Sequence, residues 1–265
     1  HLSIRRQRQM CIRDSYYTMQ MKGLVIVIGN ILVAHGMRKG QQNEALEEFI
    51  TTLLKDEDYH YELAFLESDT QNLELTMEKM IKQGVTRFRI VPLLIFRAMH
   101  YIGDIPEILK SMKEKYPHIN SEMSEPLGTH PYMKDLVERR MADVDLPANA
   151  NVATVIIAHG NGSGRFTKAH EELKEFVKSI DSNKPVYARA LYGVMTFKND
   201  LDEISKKYDD LIIVPLFLFD GRLVNKVKRL ISEMDIHCNL HITPSINFDH
   251  ILKLIIRARI EQLAV

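Results

Sequence analysis

The sequence contains one internal repeat, and that repeat constrains the fold more than any other feature. The run Ile31-Leu-Val-Ala-His35-Gly36 returns as Val155-Ile-Ile-Ala-His159-Gly160, at an offset of 124. Ile90-Val-Pro-Leu-Leu-Ile-Phe96 returns as Ile213-Val-Pro-Leu-Phe-Leu-Phe219, at an offset of 123. Two matches in the same order at nearly the same offset mark a duplicated folding unit, and the period is far too long for a solenoid. The 265 residues therefore divide into two halves of ordinary domain size. The turn-rich stretch 143–151 is the expected linker, with a first half at 21–145 and a second at 146–265.

Each half alternates strand-like and helix-like segments. In the first, Asn30–Ala34 is an apolar run of strand length. Leu46, Phe49, Ile50, Leu53 and Leu54 lie on one helical face. Leu63–Leu66 is a short strand, and Leu73, Met77, Met80 and Ile81 form a helical stripe that Gly84 stops. Phe88–Phe96 is the strongest strand. Asp104 is placed to cap the helix that follows, with Pro106 in its first turn and Glu107 in position for a capping box. A weak strand near Glu122–Glu125 precedes a last helix that begins at Thr129-His130-Pro131. The second half repeats this order. Alternating strands and helices predict an α/β fold: two similar doubly wound parallel sheets, covered on both faces and facing a central cleft.

The first twenty residues do not read as folded protein. They are basic and lack both a periodic apolar pattern and the apolar core of a signal peptide. Met10-Cys11-Ile12-Arg13-Asp14-Ser15 is what a transposon end used in DNA library preparation would encode in one frame. Residues 1–20 are expected to be a non-native or disordered segment. No run of eighteen apolar residues is present, so no membrane span is expected. A net charge of zero disfavours nucleic acid as an electrostatic partner. The two cysteines, Cys11 and Cys238, form no CxxC pair, which predicts a reducing, cytoplasmic setting and no cysteine-held zinc or iron–sulfur cluster. Gly160-Asn-Gly-Ser-Gly164 lacks the lysine of a phosphate loop, so no nucleotide is expected.

Three residues carry chemistry as a set. His35 follows an apolar strand directly, Glu67 ends the second strand, and His100 lies just past the third. Open α/β sheets place ligands beyond the carboxyl ends of their strands. Two imidazoles and one carboxylate there suit Fe²⁺, Co²⁺, Ni²⁺ or Zn²⁺ and leave open positions on the ion. Of the three, the second half keeps only His159. Glu67 corresponds to Leu191 or Tyr192, and His100, counted from Pro92 and Pro215, to Leu223. One active centre, in the first half, is expected, with His159 a relic that is structural or lines the cleft.

Leu-Val-Ala-His35-Gly-Met-Arg38, Phe-Leu-Glu67, Val-Pro-Leu-Leu-Ile-Phe96, His100, Asp104-Ile-Pro106 and Pro126-Leu-Gly-Thr-His130-Pro, in this order, resemble the signature of the sirohydrochlorin chelatase family. The resemblance runs from about Asn30 to the C-terminus, more weakly in the second half. It implies a lyase that inserts a divalent metal, taken as substrate, into sirohydrochlorin. His35, Glu67 and His100 are then the metal-binding and proton-accepting residues. The chain is most similar to iron-inserting members, because its C-terminal stretch has neither the histidine-rich segment nor the cysteine motif of long cobalt-inserting ones. Siroheme is thus the expected product. Cobalt insertion for cobalamin and a non-catalytic metal or tetrapyrrole carrier are the alternatives. Sirohydrochlorin carries eight carboxylates, for which Arg38, Lys39, Arg97 and His130 are the candidate partners. His130 can equally cap the helix that follows it. A monomer or homodimer is expected.

Overall fold

The structure, a computed structural model, describes residues 17–21, 24–36, 41–57, 59–162, 168–247 and 249–263. It separates into two compact units. One comprises 1–94, 100–126 and 256–265, and the other 95–99 and 127–255.

The first unit is built on β2, Leu24–Ala34. Its apolar residues face both sides: Ile31 and Val33 join one core cluster, and Ile28 and Leu32 on the alternate positions are as fully buried. A strand buried on both faces requires this continuous apolar run. The Gly29-Asn30 break within it has a packing cause. A Cβ on Gly29 would come within 2.3 Å of Met80 Cε, and buried Asn30 donates from Nδ2 to the His60 carbonyl at 2.7 Å. Parallel strands β3, Tyr61–Phe65, and β4, Arg87–Pro92, flank β2, and β5, Asn120–Met123, adds outside β4. The order β3-β2-β4-β5 is that of a doubly wound sheet.

Helix α1, Gln41–Leu53, buries Leu46, Ile50 and Leu53, on the face that the spacing predicts. Helix α2, Leu73–Lys82, buries Leu73, Met77 and Met80 against the β2 cluster. Asn72 caps it by accepting from Leu75 N at 2.9 Å, and Gly84 follows its end at φ +95°. Helix α3, Ile105–Lys115, packs Ile105 and Met112 into the same cluster.

One strand was not expected. β1, Tyr17–Met21, pairs antiparallel with Leu24–Ile28 along the edge of β2 that β3 leaves uncovered. The segment excluded on sequence grounds therefore reaches into the first sheet at Tyr17–Gln20. An antiparallel partner two residues away needs only exposed backbone donors and acceptors, not apolar periodicity. Residues 1–16 lie outside the described residues.

The second unit repeats the plan. Parallel strands β6 (Val152–Gly160), β7 (Val186–Tyr192), β8 (Asp210–Pro215) and β9 (Asn239–Ile242) run in the order β7-β6-β8-β9. Helices α4 (Pro131–Ala142), α5 (Lys168–Ser179), α6 (Leu201–Ser205) and α7 (Arg222–Ser232) belong to this unit. The last helix, α8, Ile251–Gln262, contributes its first turn to the second unit and the rest to the first. Among the described residues no helix is long and apolar enough to cross a membrane.

Candidate metal centre

The carboxyl ends of β2, β3 and β4 lie side by side, so whatever follows each strand is delivered to one edge of the sheet. His35 follows β2 directly. Gly36, at φ +68°, then turns the chain, and a Cβ there would lie 2.5 Å from Phe65 Cβ. The turn brings the Gly36 carbonyl to 3.0 Å from His35 Nδ1. A carbonyl only accepts, so Nδ1 carries the proton and the lone pair is on Nε2. The backbone ladder continues past the strand ends: Leu66 N donates to Ala34 O, and Glu67 N to His35 O at 3.1 Å. These two bonds fix the backbone of Glu67 beside that of His35.

His100 arrives by a different device. β4 ends at Pro92, where Leu93 N still donates to Val33 O at 2.7 Å, and the chain returns through a wide π-helical turn, His100–Asp104. Such turns are uncommon and are frequent at functional sites. The turn runs straight into α3, so Asp104 is already helical, at φ −62° and ψ −49°, and makes no side-chain cap. The capping role expected for Asp104 is thus not the one it plays. Its Oδ2 lies 2.5 Å from His100 Nδ1, an i,i+4 pair. The carboxylate accepts the Nδ1 proton and so leaves the His100 lone pair on Nε2 as well.

The result is convergent. One ligand atom from each of His35, Glu67 and His100 lies within 4.8 Å of the other two. The two imidazole rings meet edge to face, with centroids 4.5 Å apart and planes at 88°. His35 is exposed and the other two are half-buried. Two imidazoles and one carboxylate make a donor set for a divalent borderline ion.

The remaining candidates are placed differently. Arg38 and Lys39 lie outside the described residues. Arg97 belongs to the second unit, where its guanidinium and its backbone N–H both bind the Glu172 carboxylate. His130 lies at the start of α4, where its Nδ1 accepts from Tyr132 N at 3.2 Å.

The second half shows what the duplication did not keep. His159 repeats the His35 geometry, with Nδ1 2.8 Å from the Gly160 carbonyl and Gly160 at φ +75°. The sheet registers pair Ala34 with Phe65 and Gly160 with Tyr192, so Tyr192 takes the place of Glu67. The counterpart of His100 is not Leu223. Buried Ile105 and Met112 of α3 correspond to buried Val224 and Ile231 of α7 at an offset of 119, whereas Pro92 and Pro215 are offset by 123. Four extra residues therefore lie in the first-half connection, and His100 is on it. Counted from the helix it aligns with Phe219 rather than Leu223, and neither residue is a ligand.

Comparison with known proteins agrees with this duplication. The family model described as CbiX matches residues 29–144 and again 153–263. A sirohydrochlorin ferrochelatase from Priestia megaterium is 26% identical over 207 residues, covering 77% of this chain and 78% of that protein. A sirohydrochlorin cobaltochelatase from the same organism is also 26% identical, over 217 residues, covering 77% of this chain and 68% of that protein. Among solved structures, SirB from Bacillus subtilis with Fe3+ superposes with a TM-score of 0.76, covering 89% of this chain and 94% of that one, at 24% identity, a likeness of fold.

Proposed function

The chain belongs to the CbiX family, and from that premise we propose that it is a chelatase that inserts Fe²⁺ into sirohydrochlorin to give siroheme, with His35, Glu67 and His100 at the reacting centre. The observation that carries this reading is the convergence of one ligand atom from each of two histidines and one carboxylate within 4.8 Å of one another.

Insertion exchanges one M²⁺ for the two N–H protons of the macrocycle. The ion must be held firmly enough to be presented and loosely enough to be given up. Three protein donors leave coordination positions that pyrrole nitrogens can fill. As nitrogen–metal bonds form to the macrocycle, bonds to His35 and His100 break, and each released Nε2 lone pair takes up one pyrrole proton before passing it to water. Both rings keep their Nδ1 protons, donated to the Gly36 carbonyl and to the Asp104 carboxylate, which holds the two rings in orientation through the exchange. Glu67 supplies the negative charge that draws the cation in and balances it while it is bound. No electron moves in this sequence.

Cobalt is the second reading, favoured by the equal identity to the cobaltochelatase and the ferrochelatase of one organism. A carrier with the same ligands would bind metal without accelerating its transfer. One experiment separates the three: anaerobic incubation with sirohydrochlorin and Fe²⁺, Co²⁺ or Ni²⁺, followed by the absorbance of the product. The iron reading predicts the largest kcat/KM with Fe²⁺. A larger value with Co²⁺ assigns cobalt, and rates equal to the protein-free reaction with every metal leave a carrier.

A further inference from the structure

The position that holds a carboxylate in the first half holds a phenol in the second, and the charge around it is reversed. Tyr192 stands where Glu67 stands. At the helix offset of 119, Lys226 stands where Glu107 stands and Leu223 where Asp104 stands. Helix α3 carries an acid in its first turn. α7 has none, begins with Arg222, and has no side-chain cap at its N-terminus. A cation-attracting edge has become an anion-attracting one.

The two new side chains touch. Lys226 Nζ lies 3.0 Å from the Tyr192 hydroxyl oxygen and 4.8 Å from the centre of its ring. An ammonium only donates, so the phenol oxygen accepts from Lys226 and its own proton is directed to another acceptor. Lys226 retains further N–H donors, and among the described residues no carboxylate pairs with it. Two donors this close match the spacing of the two oxygens of one carboxylate, and a bond to an ammonium is of the strong, charge-assisted kind. His159, with its lone pair on Nε2, is not one of the donors.

We propose that Lys226 and Tyr192 form a carboxylate-binding site in the second unit, at the place where the first unit holds metal. The carboxylate comes either from the tetrapyrrole substrate or from a free small acid. The first source rests on the chelatase reading and the second does not.

Equilibrium binding to the full chain tests it, with metal-free sirohydrochlorin followed by fluorescence in one arm and citrate followed by calorimetry in the other. The variants are Lys226→Glu, which installs the first-half charge, Lys226→Arg, which keeps the cation, and Tyr192→Phe. Lys226→Glu is expected to weaken binding about tenfold or more and Tyr192→Phe by a few-fold, with Lys226→Arg near the parent. Weakening in the sirohydrochlorin arm assigns the site to the substrate. Weakening in the citrate arm alone assigns it to a free acid, and stands even if no metal is ever inserted. Parent-like binding of both ligands by Lys226→Glu, with an unchanged melting temperature, overturns the proposal.

Discussion

Asp104 decides what His100 can do. Its carboxylate, 2.5 Å from Nδ1, selects the tautomer that carries its lone pair on Nε2. Asn in its place can turn its amide N–H toward Nδ1 and so move the imidazole proton to Nε2. Asp104→Asn is therefore expected to lower kcat/KM for the metal by about ten- to a hundredfold, chiefly through the KM for metal, with Asp104→Glu recovering much of the loss. The melting temperature should not move. An unchanged metal KM in Asp104→Asn would remove Asp104 from the positioning role. Glycine positions separate strain from space. Gly84, at φ +95°, has open room for a Cβ, so Gly84→Ala meets backbone strain alone, about 1–2 kcal/mol. Gly36→Ala meets strain and a 2.5 Å approach to Phe65 Cβ. Thermal unfolding should show the larger loss for Gly36→Ala, and equal losses would mean that Phe65 yields. At this scale the convergence of His35, Glu67 and His100 was legible, because a histidine straight after an apolar run lands at a sheet edge whatever the details. The partner of Arg97 was not legible: three residues from His100 in sequence, it is bound to Glu172, and nothing in a linear pattern announces a partner 75 residues away.

At the scale of elements, strands buried on both faces were readable and edge pairing was not. β2 appears as an apolar run because both of its faces are covered from Ile28 to Ala34. β1 has no such requirement, so composition gave no sign of it. Comparing chains that begin at Tyr17 and at Leu24 should show a lower melting temperature for the shorter one, since it loses the ladder from Tyr17–Ile28 to Met21–Leu24. Identical melting would make β1 an ornament. The π-helical turn was also invisible, because hydrophobic period reports regular helix. The His100–Asp104 spacing of four was its one trace. A pH effect belongs to β3. Glu62 is held below the usual carboxylate value by hydrogen bonds from His60 and Lys79, against a smaller opposing push from burial. A depressed folded value means that its stabilising contribution is complete above the unfolded value, near 4.5, and is lost as pH falls through the folded one. Glu62→Gln should therefore lower the melting temperature at neutral pH and flatten its decline below about pH 4.5. A parallel downward shift at every pH would contradict this.

Over the whole molecule, duplication followed by divergence is the organising fact. Both halves keep the strand, the histidine and the left-handed glycine after it, since those build the sheet edge. The first half alone has the carboxylate and the longer connection that bring Glu67 and His100 to His35. The sequence repeat was enough to predict the asymmetry. It placed the counterpart of His100 four residues off, because an offset measured on strands was carried across an insertion. The central claim is that chemistry resides in the first half alone. The most direct test is the initial rate of anaerobic metal insertion into sirohydrochlorin by the parent, His100→Ala and His159→Ala. The account predicts a loss of about a hundredfold or more in His100→Ala and a rate within about twofold of the parent in His159→Ala, the order of a weak surface effect. Equal losses in the two variants would contradict it.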